Sequence, residues 1–250
     1  MSRITLIQRN IEWLNIDANL TSVATMLEGV NTDVVVLSEM FQTGFATNPT
    51  NVADNGKTLE WMLQMAKRLD AAIVGSCAVK VGDEFRNRMY FVKPTGEVEY
   101  YDKWHLFSVG DETRYYSPGH ERKVVEWRGV RYLLAICYDL RFPVWSRQRG
   151  DYDAIIYVAA WPTPRRQVWR TLLQARAIEN QAYVVGVNRI GDEPTLNYSG
   201  DSMVVDYYGR TVVDCGADEC VANVVLDVSG VNAFRDKFNV GVDADDFTMI

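Results

Sequence analysis

The 250-residue sequence predicts an α/β fold built around buried parallel strands, and three observations point there. The chain opens in strand-helix-strand order: an apolar run at residues 4–8, then Leu20, Val23, Leu27 and Val30 at three- and four-residue intervals through 18–30, then DVVVL at 33–37. A second unit in the same order spans a strand at 153–160, a helix from Thr163 to about Asn180 and a strand at 182–188, with no sequence-level repeat between the two. Strands that are apolar without alternation are covered on both faces, as in sheets flanked by helices. Between the units, from Phe85 to Tyr101, two strands surround the turn Lys93-Pro94-Thr95-Gly96, so antiparallel pairing also enters.

The remaining elements follow in order. Thr58 is placed to cap a helix through Asp70 that buries Leu59, Met62, Leu63, Ala66 and Leu69. A buried strand follows at 71–79. Residues 111–120 read as a polar loop able to wall a site, before strands at 123–127 and 131–136. Pro143 suits a first helical turn, so 144–149 is expected to be a short helix, and Thr163-Pro164 starts the long one by the cap-plus-proline rule. Strands at 200–205, 210–213 and 220–227 and a helix at 231–238 complete the pattern, leaving 241–250, with Asp243, Asp245 and Asp246, as a tail that folds only against something. No linker separates two halves, so the whole chain, 1–250, is expected to form a single domain.

Composition removes several classes. With 48% hydrophobic and 24% charged residues the chain is an ordinary globular one rather than a disordered one. A formal charge of −7 argues against nucleic acid and anionic lipid, which favour basic partners, and points to a small molecule. The longest apolar run, residues 154–161, falls far short of the roughly 20 residues of a membrane span. The first residues lead straight into a strand with no secretory pattern, so a cytoplasmic protein is expected. Cys77, Cys137, Cys215 and Cys220 form no CxxC pair, and only His105 and His120 are present, so neither a zinc site nor a disulfide scaffold is expected.

The chemistry gathers around RYLLAICYDLRFPVW at 131–145. Cys137 stands where an apolar strand stops, and the amides of a helix begun at Pro143 are expected to point back at it, which lowers a thiol's pKa and supplies oxyanion donors. The alternative is a core cysteine. Glu39 follows VVVL, and Lys103 ends a hairpin strand among aromatics; their ordinary fates are a solvated loop carboxylate and a snorkelling ammonium. All three close strand-like segments. Converging on one pocket, Glu39 would be the base that an unactivated thiol requires, and Lys103 with the Tyr138 amide would serve an oxyanion. Such a cysteine hydrolase works without histidine, on an amide or nitrile.

Glu39 in VVLSEMFQTGF, Lys103 in YYDKWHLF and Cys137 in ICYDLRFPVW resemble the Glu-Lys-Cys motifs of the nitrilase, or carbon-nitrogen hydrolase, superfamily, and the resemblance covers nearly the whole chain. CYDLRFPVWSR, AAWPTPRRQVW, QARAIENQAYVVGVNRIG and FRDKFNV are similar, more narrowly, to bacterial omega-amidases of the YafV type, which act on 2-oxoglutaramate or 2-oxosuccinamate. The resemblance implies a four-layer α-β-β-α sandwich with two mixed sheets, association through helices into a homodimer or larger homo-oligomer, and no metal or organic cofactor. It also places a second acidic residue, orienting substrate and triad, at Glu112, and a carboxylate-binding arginine at Arg141, for which the competing account is an ion pair with Asp139. Trp161, Arg165 and Arg166, which follow the strand at 153–160, are further candidates for the mouth of the site. A carbamoylase or nitrilase of the same superfamily, a non-catalytic scaffold and a redox sensor acting through Cys137 are the other readings of these residues.

Overall fold

The computed structural model of the protein describes residues 1–245. The chain runs β1 (Ser2–Gln8), α1 (Ile16–Met26), β2 (Val34–Val36), α2 (Lys57–Leu69), β3 (Ala72–Val81), β4 (Glu84–Val92), β5 (Val98–Asp102), α3 (Glu112–Tyr115), β6 (Val124–Trp127), β7 (Val130–Ile136) and α4 (Pro143–Ser146). It continues through β8 (Ala154–Val158), α5 (Arg166–Asn180), β9 (Tyr183–Val187), β10 (Ile190–Asp192), β11 (Asn197–Ser199), β12 (Met203–Val205), β13 (Thr211–Asp214), β14 (Cys220–Leu226) and α6 (Val228–Lys237). Two six-stranded mixed sheets result, ordered β14-β1-β2-β3-β4-β5 and β13-β12-β9-β8-β7-β6, with β10 and β11 forming a separate ribbon.

Strand periodicity divides the core. In the first sheet Ile4, Leu6, Val34, Val36, Ala72 and Val74 face the second sheet. Their neighbours Ile7, Val35 and Ile73 face the opposite way, onto Leu20, Val23 and Leu27 of the α1 segment and Met62, Met65 and Ala66 of α2. In the second sheet every residue of β8 and β9 is buried, with Trp169, Leu173 and Ala177 of α5 packed against them. This is the expected α-β-β-α sandwich. Parallel pairing of β1 with β2 and β2 with β3, and of β7 with β8 and β8 with β9, sends the carboxyl ends of the central strands to one rim. Because β4 and β5 each reverse direction, β5 ends at that rim as well.

Several local expectations are corrected. Thr58 does not cap α2: it lies buried inside the helix, its hydroxyl without a partner, and the cap is Asp54, whose Oδ1 accepts the Thr58 amide at 2.8 Å. The helix expected at 144–149 is the shorter α4, and a 3-10 turn, Cys137–Arg141, precedes it. A 3-10 turn at Thr163–Arg165 likewise leads into α5, with no cap from Thr163. The loop expected at 111–120 contains α3, and the ribbon β10–β11 was not anticipated. Of the proposed tail, Val240–Asp243 form a 3-10 turn tied by the Val240 amide to Gln181 Oε1 at 3.3 Å, and 246–250 lie outside the described residues. Among the described residues no helix is long and apolar enough to cross a membrane.

Asp54→Ala is expected to lower unfolding stability by about 1 kcal/mol in denaturant titration, because it removes a cap. Thr58→Val, which replaces an unpartnered buried hydroxyl with a methyl, is expected to be neutral or stabilising in the same experiment.

Candidate active site

Glu39, Lys103 and Cys137 reach the shared rim from three strands and line one cavity of about 340 Å³. Glu39 follows β2. Its amide donates to Ala159 O at 3.4 Å and its Oε2 accepts the Ala160 amide at 2.9 Å, so it joins the first sheet to the end of β8 in the second. Lys103 follows β5, where its amide donates to Asn87 O and its carbonyl accepts from Gly119, both at 2.9 Å. Residue 119 must be glycine, since a Cβ there would stand 2.1 Å from Asp102 O.

The Lys103 ammonium is buried between two carboxylates. It donates to Glu39 Oε1 at 3.0 Å and to Glu112 Oε2 and Oε1 at 2.9 and 3.2 Å, with all three side chains at most 1% exposed. Asn87 Nδ2 bridges the same carboxylates, at 2.7 Å to Glu39 and 3.1 Å to Glu112, and the Phe107 amide adds a 2.6 Å bond to Glu112 Oε2. Burial pulls the lysine down, but Glu112 and then Glu39 outweigh it and hold the ammonium well above its usual range. For Glu112 burial acts first and upward, Lys103 pulls back and Glu39 pushes up, leaving its carboxyl raised.

Cys137 takes φ = +44°, and Met40, next to Glu39, takes +45°; strained positions of this kind persist where surrounding contacts enforce them. Asp139 does the enforcing at the cysteine. Fully buried, it accepts the Ile136 amide at 2.9 Å, the Tyr101 hydroxyl at 2.8 Å and both the His105 amide and Nδ1, at 3.0 and 2.8 Å. The 3-10 turn therefore starts at the cysteine itself, placing the Tyr138 amide in its first turn, where amides have no partner within the helix. The expectation of a lowered thiol pKa is corrected. Burial first, then the Glu39 carboxylate, push the Cys137 thiol well above its ordinary value, and Lys103 offsets only part of this.

The cavity wall sorts the other candidates. Tyr138, Arg141, Trp161 and Arg165 line it. The Arg141 guanidinium lies 5.2 Å from the centre of the Trp161 ring and that of Arg165 lies 5.2 Å from the Phe107 ring; among the described residues neither is paired with a carboxylate. The ion pair considered for Arg141 is not made, because Asp139 is taken by His105. Arg166 is corrected: it points away from the cavity into an ion pair with Asp201 at 2.6 Å, since α5 begins there and turns its side chain outward.

Asn87, Glu193, Phe45 and Tyr198 were missed. Asn87 shares strand parity with Met89 and Phe91, so a polar residue on an otherwise apolar inward face was the available signal. Glu193 Oε1 accepts the Phe45 amide at 2.8 Å and its Oε2 the Tyr198 hydroxyl at 2.6 Å, while Arg189 pairs with it; nothing local in the sequence marks this cluster. Among the described residues no group of three or more histidine, cysteine or acidic side chains is placed to hold a metal ion.

Two mixed sheets with this rim define a carbon-nitrogen hydrolase fold, and the family profile for carbon-nitrogen hydrolase matches residues 3–236; the chain belongs to that family. It is 43% identical to omega-amidase YafV of Yersinia enterocolitica, over 99% of this chain and 98% of that one. It is 36% identical to the 2-oxoglutaramate amidase of Bacillus subtilis over 85% of each chain. Among solved structures, XC1258 from Xanthomonas campestris, a CN-hydrolase superfamily protein with an arsenic adduct in its active site, aligns with a TM-score of 0.96 at 37% identity, covering 100% of this chain and 99% of that one.

Because the thiol pKa is raised, the neutral form persists to higher pH. Alkylation of Cys137 by iodoacetamide is expected to keep accelerating above about pH 8.5, where a free cysteine approaches its plateau, and a plateau below that pH would contradict the assignment. Lys103→Met leaves two buried carboxylates without their cation and is expected to cost about 3–5 kcal/mol near neutral pH. Their folded pKa values then rise, so the loss shrinks as pH falls and the carboxyls protonate, which denaturant titrations at two pH values would register.

Proposed function

We propose that the protein is an omega-amidase, hydrolysing the terminal amide of a small 2-oxo acid such as 2-oxoglutaramate or 2-oxosuccinamate to the 2-oxo dicarboxylate and ammonia through a thioester on Cys137. One observation carries the substrate class. The cavity that holds a cysteine, a lysine and two carboxylates at its floor also carries Arg141 and Arg165 in its wall, two guanidiniums that meet aromatic faces and no carboxylate among the described residues. A guanidinium with open donors in an apolar wall receives a carboxylate in bidentate fashion. The names of the relatives, an omega-amidase and a 2-oxoglutaramate amidase, support the same substrate class.

The raised thiol pKa sets the order of events. Cys137 starts protonated, so Glu39 takes its proton as the sulfur attacks the amide carbon. Lys103 and the Tyr138 amide face the developing oxyanion, donors worth about 2.7–4 kcal/mol each in such sites. As the intermediate collapses, Glu39 returns the proton to the departing nitrogen and ammonia leaves. Water deprotonated by Glu39 then attacks the thioester carbon, the carbon–sulfur bond breaks, the thiol is restored and the acid is released. Glu112 takes no proton in this scheme and positions Lys103. The whole chain acts as one domain in the cytoplasm, and the exposed Ile178, Tyr208 and Phe238 support association of two copies through this helical face.

Incubation with 2-oxoglutaramate followed by rapid acid quench and mass spectrometry is expected to show an acyl adduct on Cys137, and Cys137→Ala is expected to abolish ammonia release while remaining folded. In parallel assays 2-oxoglutaramate is expected to exceed an N-carbamoyl amino acid and an aliphatic nitrile, and Arg141→Lys to raise KM more than it lowers kcat. Preference for an uncharged substrate would overturn the carboxylate assignment, leaving a nitrilase or carbamoylase.

A further inference from the structure

Cys215 and Cys220 take no part in the site described above. They flank the turn at 216–219 that carries the chain from β13, an edge strand of the second sheet, to β14, an edge strand of the first. Buried neighbours hold this turn. Gln8 Nε2 donates to Gly216 O at 2.9 Å and Asp218 O at 2.8 Å, the Gln8 backbone pairs with Cys220, and the Cys215 amide donates to Ser202 O at 2.9 Å. Gly216, with φ = +59°, supplies the left-handed residue the turn requires. The result is two free, half-buried thiols in hydrogen-bonding contact. An open groove lined by Arg166, Gln167, Arg170 and Asp214 leads to Cys215 from solvent.

We propose that Cys215 and Cys220 are a redox-modifiable dithiol, which a hydroperoxide converts reversibly to a disulfide that staples the two sheets at their crossover. Burial and the adjacent Cys220 push the Cys215 thiol up, so Cys215 keeps its proton and Cys220 is the sulfur that reacts first. The Cys220 sulfur attacks one peroxide oxygen, the O–O bond breaks, and the leaving alkoxide takes the thiol proton and departs as an alcohol. Cys220 is then a sulfenic acid. The Cys215 sulfur attacks it, the S–O bond breaks, the departing hydroxyl takes the Cys215 proton, and water leaves as the S–S bond forms. The two sulfurs lose two electrons in all, and the peroxide gains them.

The active-site thiol must be removed from the readout, so the experiment uses full-length Cys137→Ala protein treated with tert-butyl hydroperoxide under native conditions, alkylated and mapped by mass spectrometry. The peptide carrying Cys215 and Cys220 is expected to lose two hydrogens, to resist alkylation and to recover both alkylation sites after dithiothreitol. Buried Cys77 is expected to stay reduced. In a further Cys215→Ser variant, dimedone is expected to trap a sulfenic acid on Cys220, whereas in Cys220→Ser the Cys215 thiol is expected to survive the same dose. Separate alkylation of both thiols after peroxide treatment, or crosslinking seen only in denaturant, would overturn the proposal. Oxidation of Cys215 as fast in Cys220→Ser as in the parent would reverse the assigned order.

Discussion

One ammonium shared by two buried carboxylates holds this molecule's working rim together. Lys103 lies between Glu39 and Glu112, and removing any one of the three leaves charge in a region that water does not reach. Its influence extends beyond the three residues, because Glu39 also binds the amide of Ala160 and Glu112 the amide of Phe107. The electrostatic balance of the site and the apposition of the two sheets are therefore one problem with one solution. Asn87 completes it, spanning both carboxylates from β4 and fixing their separation.

That cluster also decides what the cysteine is at rest. A helix N-terminus alone would favour a thiolate, but the sulfur sits in a buried place beside a carboxylate, and the nearby ammonium is largely neutralised by its own partners. The nucleophile is stored as a thiol. Activation then coincides with attack, which keeps a reactive anion from standing ready in the empty cavity. Asp139 contributes from behind by holding the Ile136 amide and His105, so the strained backbone at Cys137 has little freedom to relax.

Most of the fold was legible because its strands are covered on both faces, as uninterrupted apolar runs such as DVVVL and AIIYV announce. Helix starts read less well. Asp54, three residues before Lys57, does the capping that Thr58 was expected to do, because the chain reaches the helix through a left-handed Gly56 that periodicity does not reveal. In the site, Glu39, Lys103 and Cys137 were legible as strand ends that meet at one rim. Asn87 and Glu193 were not, since their significance comes from partners that are distant in sequence: Glu39 for the first, Phe45 for the second. Arg165 and Arg166 look alike on paper, and only the onset of α5 separates the one facing the cavity from the one bound to Asp201.

The pairing of β1 with β14 has a consequence for how the protein is made. Thr5 Oγ1 and Asn223 Oδ1 meet at 2.7 Å across 218 residues, so the seam beside β1 stays open until nearly the whole chain has left the ribosome. The second sheet needs no such wait, because its strands come from one continuous stretch between β6 and β13. A nascent chain arrested before β14 would present the fully apolar β1 as an unprotected edge, a template for sticking to its neighbours.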